Sequence, residues 1–171
     1  MFGLTPLGTV HTLIALVALV AGLAALATHR EISADRWLGK VYICGTALTC
    51  LTGFGIFQHG GFGKPHALGV LTLLVLGAAS LPGALMRFGP RWRIVSAALY
   101  TLTVFFHFVP GITETFTRVP AGSPLFDGPE DPALEKVIGT LFLVFAAGIL
   151  LQVRHLRRMN RMGGPGAARL A

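Results

Sequence analysis

The run LGTVHTLIALVALVAGLAALAT, Leu7 to Thr28, decides the fold class. It carries no charged side chain, and at a helical rise of about 1.5 Å per residue it is long enough to cross a hydrocarbon core of roughly 30 Å. Four more apolar runs follow at Leu38–Phe57, Ala67–Met86, Ile94–Ile112 and Val137–Val153. The last is short, and Asp131-Pro132 upstream of it, a capping acid followed by proline, offers an earlier helix start. Of 171 residues, 53% are hydrophobic and 12% charged, with a mean hydropathy of +0.70, which is not the balance of a soluble globule. These features predict an all-α integral membrane bundle of five transmembrane helices over residues 1–161, with 162–171 as a flexible C-terminal tail.

The basic residues set the expected orientation. Arg30, Arg36 and Lys40 lie between the first two runs, Arg87, Arg91 and Arg93 between the third and fourth, and Arg154, Arg157, Arg158, Arg161 and Arg169 at or after the fifth. Lys64, Arg118 and Lys136 lie on the other side. The positive-inside rule then predicts an N-terminus outside and a C-terminus in the cytoplasm, as in a bacterial inner-membrane protein. The formal charge of +7 follows from this asymmetry and from attraction to anionic lipid, so no nucleic-acid partner is implied. The first run is too long for a signal h-region and lacks a basic n-region, so it is expected to remain as a span. Cys44 and Cys50 fall on different faces of one helix, too far apart to bridge. No nucleophilic triad, phosphate loop or nucleotide fingerprint is present, which argues against a hydrolase or a nucleotide-driven machine.

The histidines carry the chemistry. His11 lies just below the outer end of the first run, and His59 and His66 flank the glycine-rich turn QHGGFGKPH, Gln58 to His66. His107 sits in the apolar stretch VFFHFVP, Val104 to Pro110, where an ionisable side chain is a functional candidate by default. Glu114 is two helical turns beyond it, with Pro110 and Gly111 between them allowing a kink or an unwound turn. His29 and His155 stand beside arginines at the other face and read as solvated helix ends.

Four imidazoles at one membrane face make a common site geometrically possible. His11, His66 and His107 are the candidate cofactor ligands, and His11, His59, His66, His107 and Glu114 form the wider candidate metal set. Two imidazoles across a slot opened by Gly53, Gly55 and Gly69 would suit haem b. Three or four with a carboxylate would suit zinc, copper or non-haem iron.

The stretches HTLIALVALVAGLAALATHR, DRWLGKVYICGTALT and FGIFQHGGFGKPHALGVLTLLVLG resemble a large bacterial family of small multi-pass membrane proteins of unknown function. Its pattern has a histidine opening span one, a basic-aromatic-Leu-Gly-basic-Val-Tyr entry to span two, and a phenylalanine-rich turn with a histidine before span three. The similarity runs from Val10 to Gly77 and implies His11, Arg36, Gly39, Tyr42 and His66 as shared positions. The chain departs from the pattern before span four, where Arg91-Trp92-Arg93 stands in place of a histidine-arginine pair. In layout it is also similar to four-helix membrane b-type cytochromes, without their histidine pairing.

The acidic segment Thr113 to Lys136 holds Glu114, Asp127, Glu130, Asp131 and Glu135, able to attract cations to the outer face or to serve as an ordinary solvated connection. The expected function is electron transfer or oxidoreduction through haem b or a transition metal. The lipid bilayer is the surrounding partner, and a quinol or another membrane redox protein the electron partner. Transition-metal binding or transport is the alternative, and a cofactor-free accessory subunit, whose histidines only bond between helices, is a third reading.

Overall fold

The computed structural model describes residues 5–57, 61–85 and 90–162. Within them the chain forms α1 (Pro6–His29), α2 (Trp37–Gly53), α3 (Lys64–Leu85), α4 (Pro90–Phe116) and α5 (Pro132–Met162), and the described residues contain no strand. Three of these, α1, α4 and α5, are long and apolar enough to cross a membrane. The 17 residues of α2 and the apolar Lys64–Ser80 part of α3 are shorter.

Local chemistry sets the boundaries. Before α1, Thr5 Oγ1 accepts from the Gly8 N–H at 3.1 Å and Pro6 occupies the first turn. Arg30 closes the helix in the left-handed region, at φ 60°. The second helix stops at Gly53, short of the expected Phe57. There the N–H groups of Gly55 and Ile56 turn back to the carbonyls of Thr52 and Gly53, tightening the chain. Asp131 starts α5 as the sequence predicts, its Oδ1 accepting from the Ala133 N–H at 2.8 Å and its Oδ2 from the Asp127 N–H at 3.1 Å. Those two N–H groups, Ala133 first, hold the Asp131 carboxyl below its ordinary range. The break allowed for at Pro110 does not occur, and α4 runs on to Phe116. Threonine side chains line this last stretch, Thr113 donating to the Val109 carbonyl at 2.9 Å and Thr117 to that of Thr113 at 2.7 Å.

The pair α1 and α2 packs through small residues, as membrane helices do where apolar burial gives no preference for protein over lipid. The buried face of α1 is Gly8, Ala18, Ala21, Gly22 and Ala25. A Cβ on Gly45 would stand 2.8 Å from that of Ala18, and one on Gly22 would stand 2.6 Å from the Tyr42 ring. A Cβ on Gly39 would fall 1.9 Å from the Ser33 carbonyl oxygen, so the connection closes over α2 only because this residue is glycine. Two of the positions implied by the family resemblance, Gly39 and Tyr42, thus have packing roles. Arg36, a third, donates to His29 Nδ1 at 3.2 Å.

The fourth helix is central, packing on α1, α3 and α5, and the core gathers Ile32, Tyr42, Leu76, Ala79, Tyr100 and Val104 around it. At the end that bears the arginines, Glu31 is buried and receives both Arg93 Nε, at 3.0 Å, and Arg93 Nη2. Beside it Gln152 donates to the Arg30 carbonyl at 2.9 Å and accepts from Thr101 at 3.0 Å, tying α5 to α1 and α4. Cys44 is exposed and Cys50 buried, both as free thiols.

Candidate functional site

Towards the opposite end lie His11, His66 and His107. There α1, α2 and α4 converge on a seam of threonines, Thr46 and Thr52 from α2 and Thr103 from α4.

His11 Nδ1 lies 3.0 Å from Thr52 Oγ1. The Thr52 hydroxyl has carbonyl acceptors at Leu48, 2.8 Å, and Thr49, 3.1 Å, so its own proton goes to the backbone and its oxygen accepts. That assigns the imidazole proton to Nδ1 and leaves a lone pair on Nε2.

His107 Nε2 lies 3.0 Å from Thr46 Oγ1. The Tyr42 hydroxyl lies 2.7 Å from Thr103 Oγ1 and 3.4 Å from the Tyr100 carbonyl, which also accepts from Thr103 at 2.8 Å. Thr46, Tyr42 and Thr103 thus line a polar seam between α2 and α4 that holds the His107 ring in place. Tyr42 flanks the imidazole at a ring-centroid distance of 6.0 Å.

Glu114 follows His107 along α4, two turns nearer its C-terminal end. Glu114 also pairs with Arg118 one turn along α4, which shares its charge. His66 does not join them. Its ring is buried against Phe54, Phe57 and Phe62, with centroids 6.5, 5.1 and 5.3 Å away. His59 lies outside the described residues, among which no group of three or more His, Cys, Asp or Glu side chains gathers at metal-binding spacing. The single convergent site expected for all four imidazoles and Glu114 is therefore not assembled there. Aromatic packing draws His66 into its own nest.

The slot expected at Gly53, Gly55 and Gly69 is occupied by this chain. A Cβ at Gly53 would meet His11 Cε1 at 3.1 Å, one at Gly55 would meet Leu7 at 3.0 Å, and one at Gly69 would meet Phe54 at 3.1 Å. These glycines admit side chains of the bundle, and the space beside them is not open to a flat macrocycle. The acidic segment is likewise engaged: Asp131 caps α5, and Glu130 binds Lys64 through both oxygens at 2.8 Å.

Sequence reasoning missed the threonine seam and the phenylalanine nest. The available signal was Thr46, Thr49 and Thr52 recurring along an otherwise apolar helix, together with Phe54, Phe57 and Phe62 around the turn. The class that fold and site define is a helical bundle built largely of membrane-length apolar helices with a polar seam at one end. No protein-family model, characterised protein or solved structure matches the chain.

Proposed function

We propose that the chain is a five-span protein of the bacterial inner membrane, N-terminus outside and C-terminus cytoplasmic, acting in electron transfer or oxidoreduction through a metal centre held by His11 and His107 near the outer face. The observation that carries this reading is the pair of threonine contacts. Each imidazole has one ring nitrogen held by a threonine hydroxyl at 3.0 Å, which leaves the other for a ligand, the arrangement in which metal-ligating histidines are held. Glu114, at the same end of α4 as His107, would add a carboxylate to the surroundings of a cation there.

A transition-metal ion, iron, copper or zinc, suits the pair better than haem b, because the bundle's own side chains fill the space beside Gly53, Gly55 and Gly69. The distribution of arginines supports the orientation. A quinol dissolved in the outer leaflet is the electron partner this position favours. The same residues would serve transition-metal binding or transport if the ion were cargo.

Metal analysis and a visible spectrum of the purified protein in detergent test the reading. Stoichiometric metal that disappears in His11→Ala and His107→Ala, and persists in His66→Ala, is the expected result. Wild-type protein that retains no metal or haem and takes up neither when supplied would overturn it. Thr52→Val and Thr46→Val should each weaken the metal about 10–100-fold while leaving the ligands in place. A reporter fused after Arg161 should be cytoplasmic, and one inserted near Gly122 should lie outside.

A second reading rests on the same two bonds. His11 to Thr52 joins α1 to α2 and His107 to Thr46 joins α4 to α2, so both imidazoles also fasten helices, as they would in a cofactor-free accessory subunit.

A further inference from the structure

His66 differs from the other two outer histidines in one respect with chemical consequences. It lies in the first turn of α3, and its Nδ1 accepts the Gly63 backbone N–H at 3.3 Å. A backbone N–H can only donate, so Nδ1 holds a lone pair and the imidazole proton sits on Nε2. The residue is 7% exposed, and Nε2 is buried with no hydrogen-bond partner among the described residues. A buried donor left without an acceptor keeps the full cost of its lost hydration.

Its surroundings restrict what can satisfy it. The imidazole lies nearly parallel to Phe54 and Phe57, at interplanar angles of 13° and 23°, and Phe62 is tilted by 31°. Water is a poor partner, since a buried water needs two to four polar neighbours and these walls are phenyl rings. An anion would lose its hydration among them, and the adjacent cation, Lys64, is already engaged by Glu130. A metal cation is turned away because Nε2 carries a proton. What remains is a neutral carbonyl oxygen on a flat, apolar body able to lie in a stack of rings. The rim permits entry: Phe57 and Phe62 are 60% and 70% exposed, so they can swing away from the imidazole without breaking a packed core.

We propose that the Phe54–Phe57–Phe62 nest is a binding site for a quinone-class molecule, with a quinone carbonyl accepting from His66 Nε2–H and the ring lying parallel to Phe57. The site extends the electron-transfer reading, but its evidence is separate, because neither His11 nor His107 contributes to it.

The test uses the full chain in lipid nanodiscs and decylubiquinone as the probe, with binding followed by quenching of intrinsic fluorescence. Wild-type protein should bind saturably. His66→Phe keeps an aromatic ring but removes the donor and should weaken binding roughly tenfold, while His66→Gln, which can still donate, should retain most of it. Phe57→Ala, at an exposed position, should also weaken binding and does not depend on how His66 variants fold. Decylbenzene, which has no carbonyl, should not compete. His11→Ala, which removes the proposed metal ligand, should bind the quinone as wild type does, so the two sites fail separately. Unsaturable binding by the wild type, equal affinity in His66→Phe, or competition by decylbenzene would each overturn the proposal.

Discussion

The two ends of the bundle treat their polar groups differently. At the arginine end the polar groups around α4 close in pairs: Glu31 with Arg93, Gln152 with both Thr101 and the Arg30 carbonyl, Ser96 with the Ala79 carbonyl. At the histidine end the bonds stop one short. His11 and His107 each engage one ring nitrogen with a threonine and leave the other over, and among the described residues His66 Nε2 has no hydrogen-bond partner. In an apolar setting an unmatched polar group is expensive, so a matched network reads as structure and an unmatched one as a place prepared for something else. Removing polar groups should therefore harm the two ends to different degrees.

The largest effect is expected where backbone meets backbone. Gly39→Ala would drive a Cβ into the Ser33 carbonyl, and since neither atom can yield, the α1–α2 connection should rearrange and the folded yield fall sharply. Gly22→Ala meets only the Tyr42 ring and should cost less, about 1–3 kcal/mol by thermal unfolding in detergent.

Next comes the ion pair. Arg93→Ala leaves the Glu31 carboxylate buried and alone, and because the arginine side chain is itself 49% exposed the loss should sit at the low end for such pairs, about 3 kcal/mol. Glu31→Gln should cost less. His66→Phe at the other end should cost only about 1 kcal/mol, because the donor it removes has no acceptor among the described residues and the bond it loses, a long one from the Gly63 N–H, leaves an exposed group. Equal losses for Arg93→Ala and His66→Phe would erase the contrast between the ends.

A smaller effect is expected along the threonine seam, where Tyr42→Phe removes the bond to Thr103 at about 1 kcal/mol. The smallest concerns the acidic cap. The folded Asp131 carboxyl titrates below its unfolded counterpart, so its contribution is complete above the ordinary value of 3.8 and fades as pH falls through the lower, folded value. Hydrogen exchange at the Ala133 N–H should accelerate only in acid, and Asp131→Asn should flatten that dependence.

Much of this fold is legible in sequence because membrane helices announce themselves by length and composition. All five apolar runs became helices, and Asp131-Pro132 marked the start of α5 to the residue. The end of α2 was less legible, since Phe54 to Phe57 are as apolar as the helix before them and only the turn hydrogen bonds separate the two. At the candidate site, sequence identified the histidines but not their roles. Depth in the membrane follows from residue number, whereas a tautomer follows from which neighbour donates, and those neighbours lie far away in sequence: Thr52 for His11, Thr46 for His107. The stacking that sets His66 apart depends on how the turn folds back, which glycine-rich sequence leaves open.

The most direct test of the difference between His11, His107 and His66 is the side-chain nitrogen spectrum of histidine-labelled protein in nanodiscs, recorded with zinc and then with decylubiquinone. Before any addition, His11 should be protonated on Nδ1 and His66 on Nε2. Zinc should move the unprotonated nitrogens of His11 and His107 and leave His66 unchanged, and the quinone should do the reverse. Zinc shifting His66, or neither ligand shifting any of the three, would contradict the account.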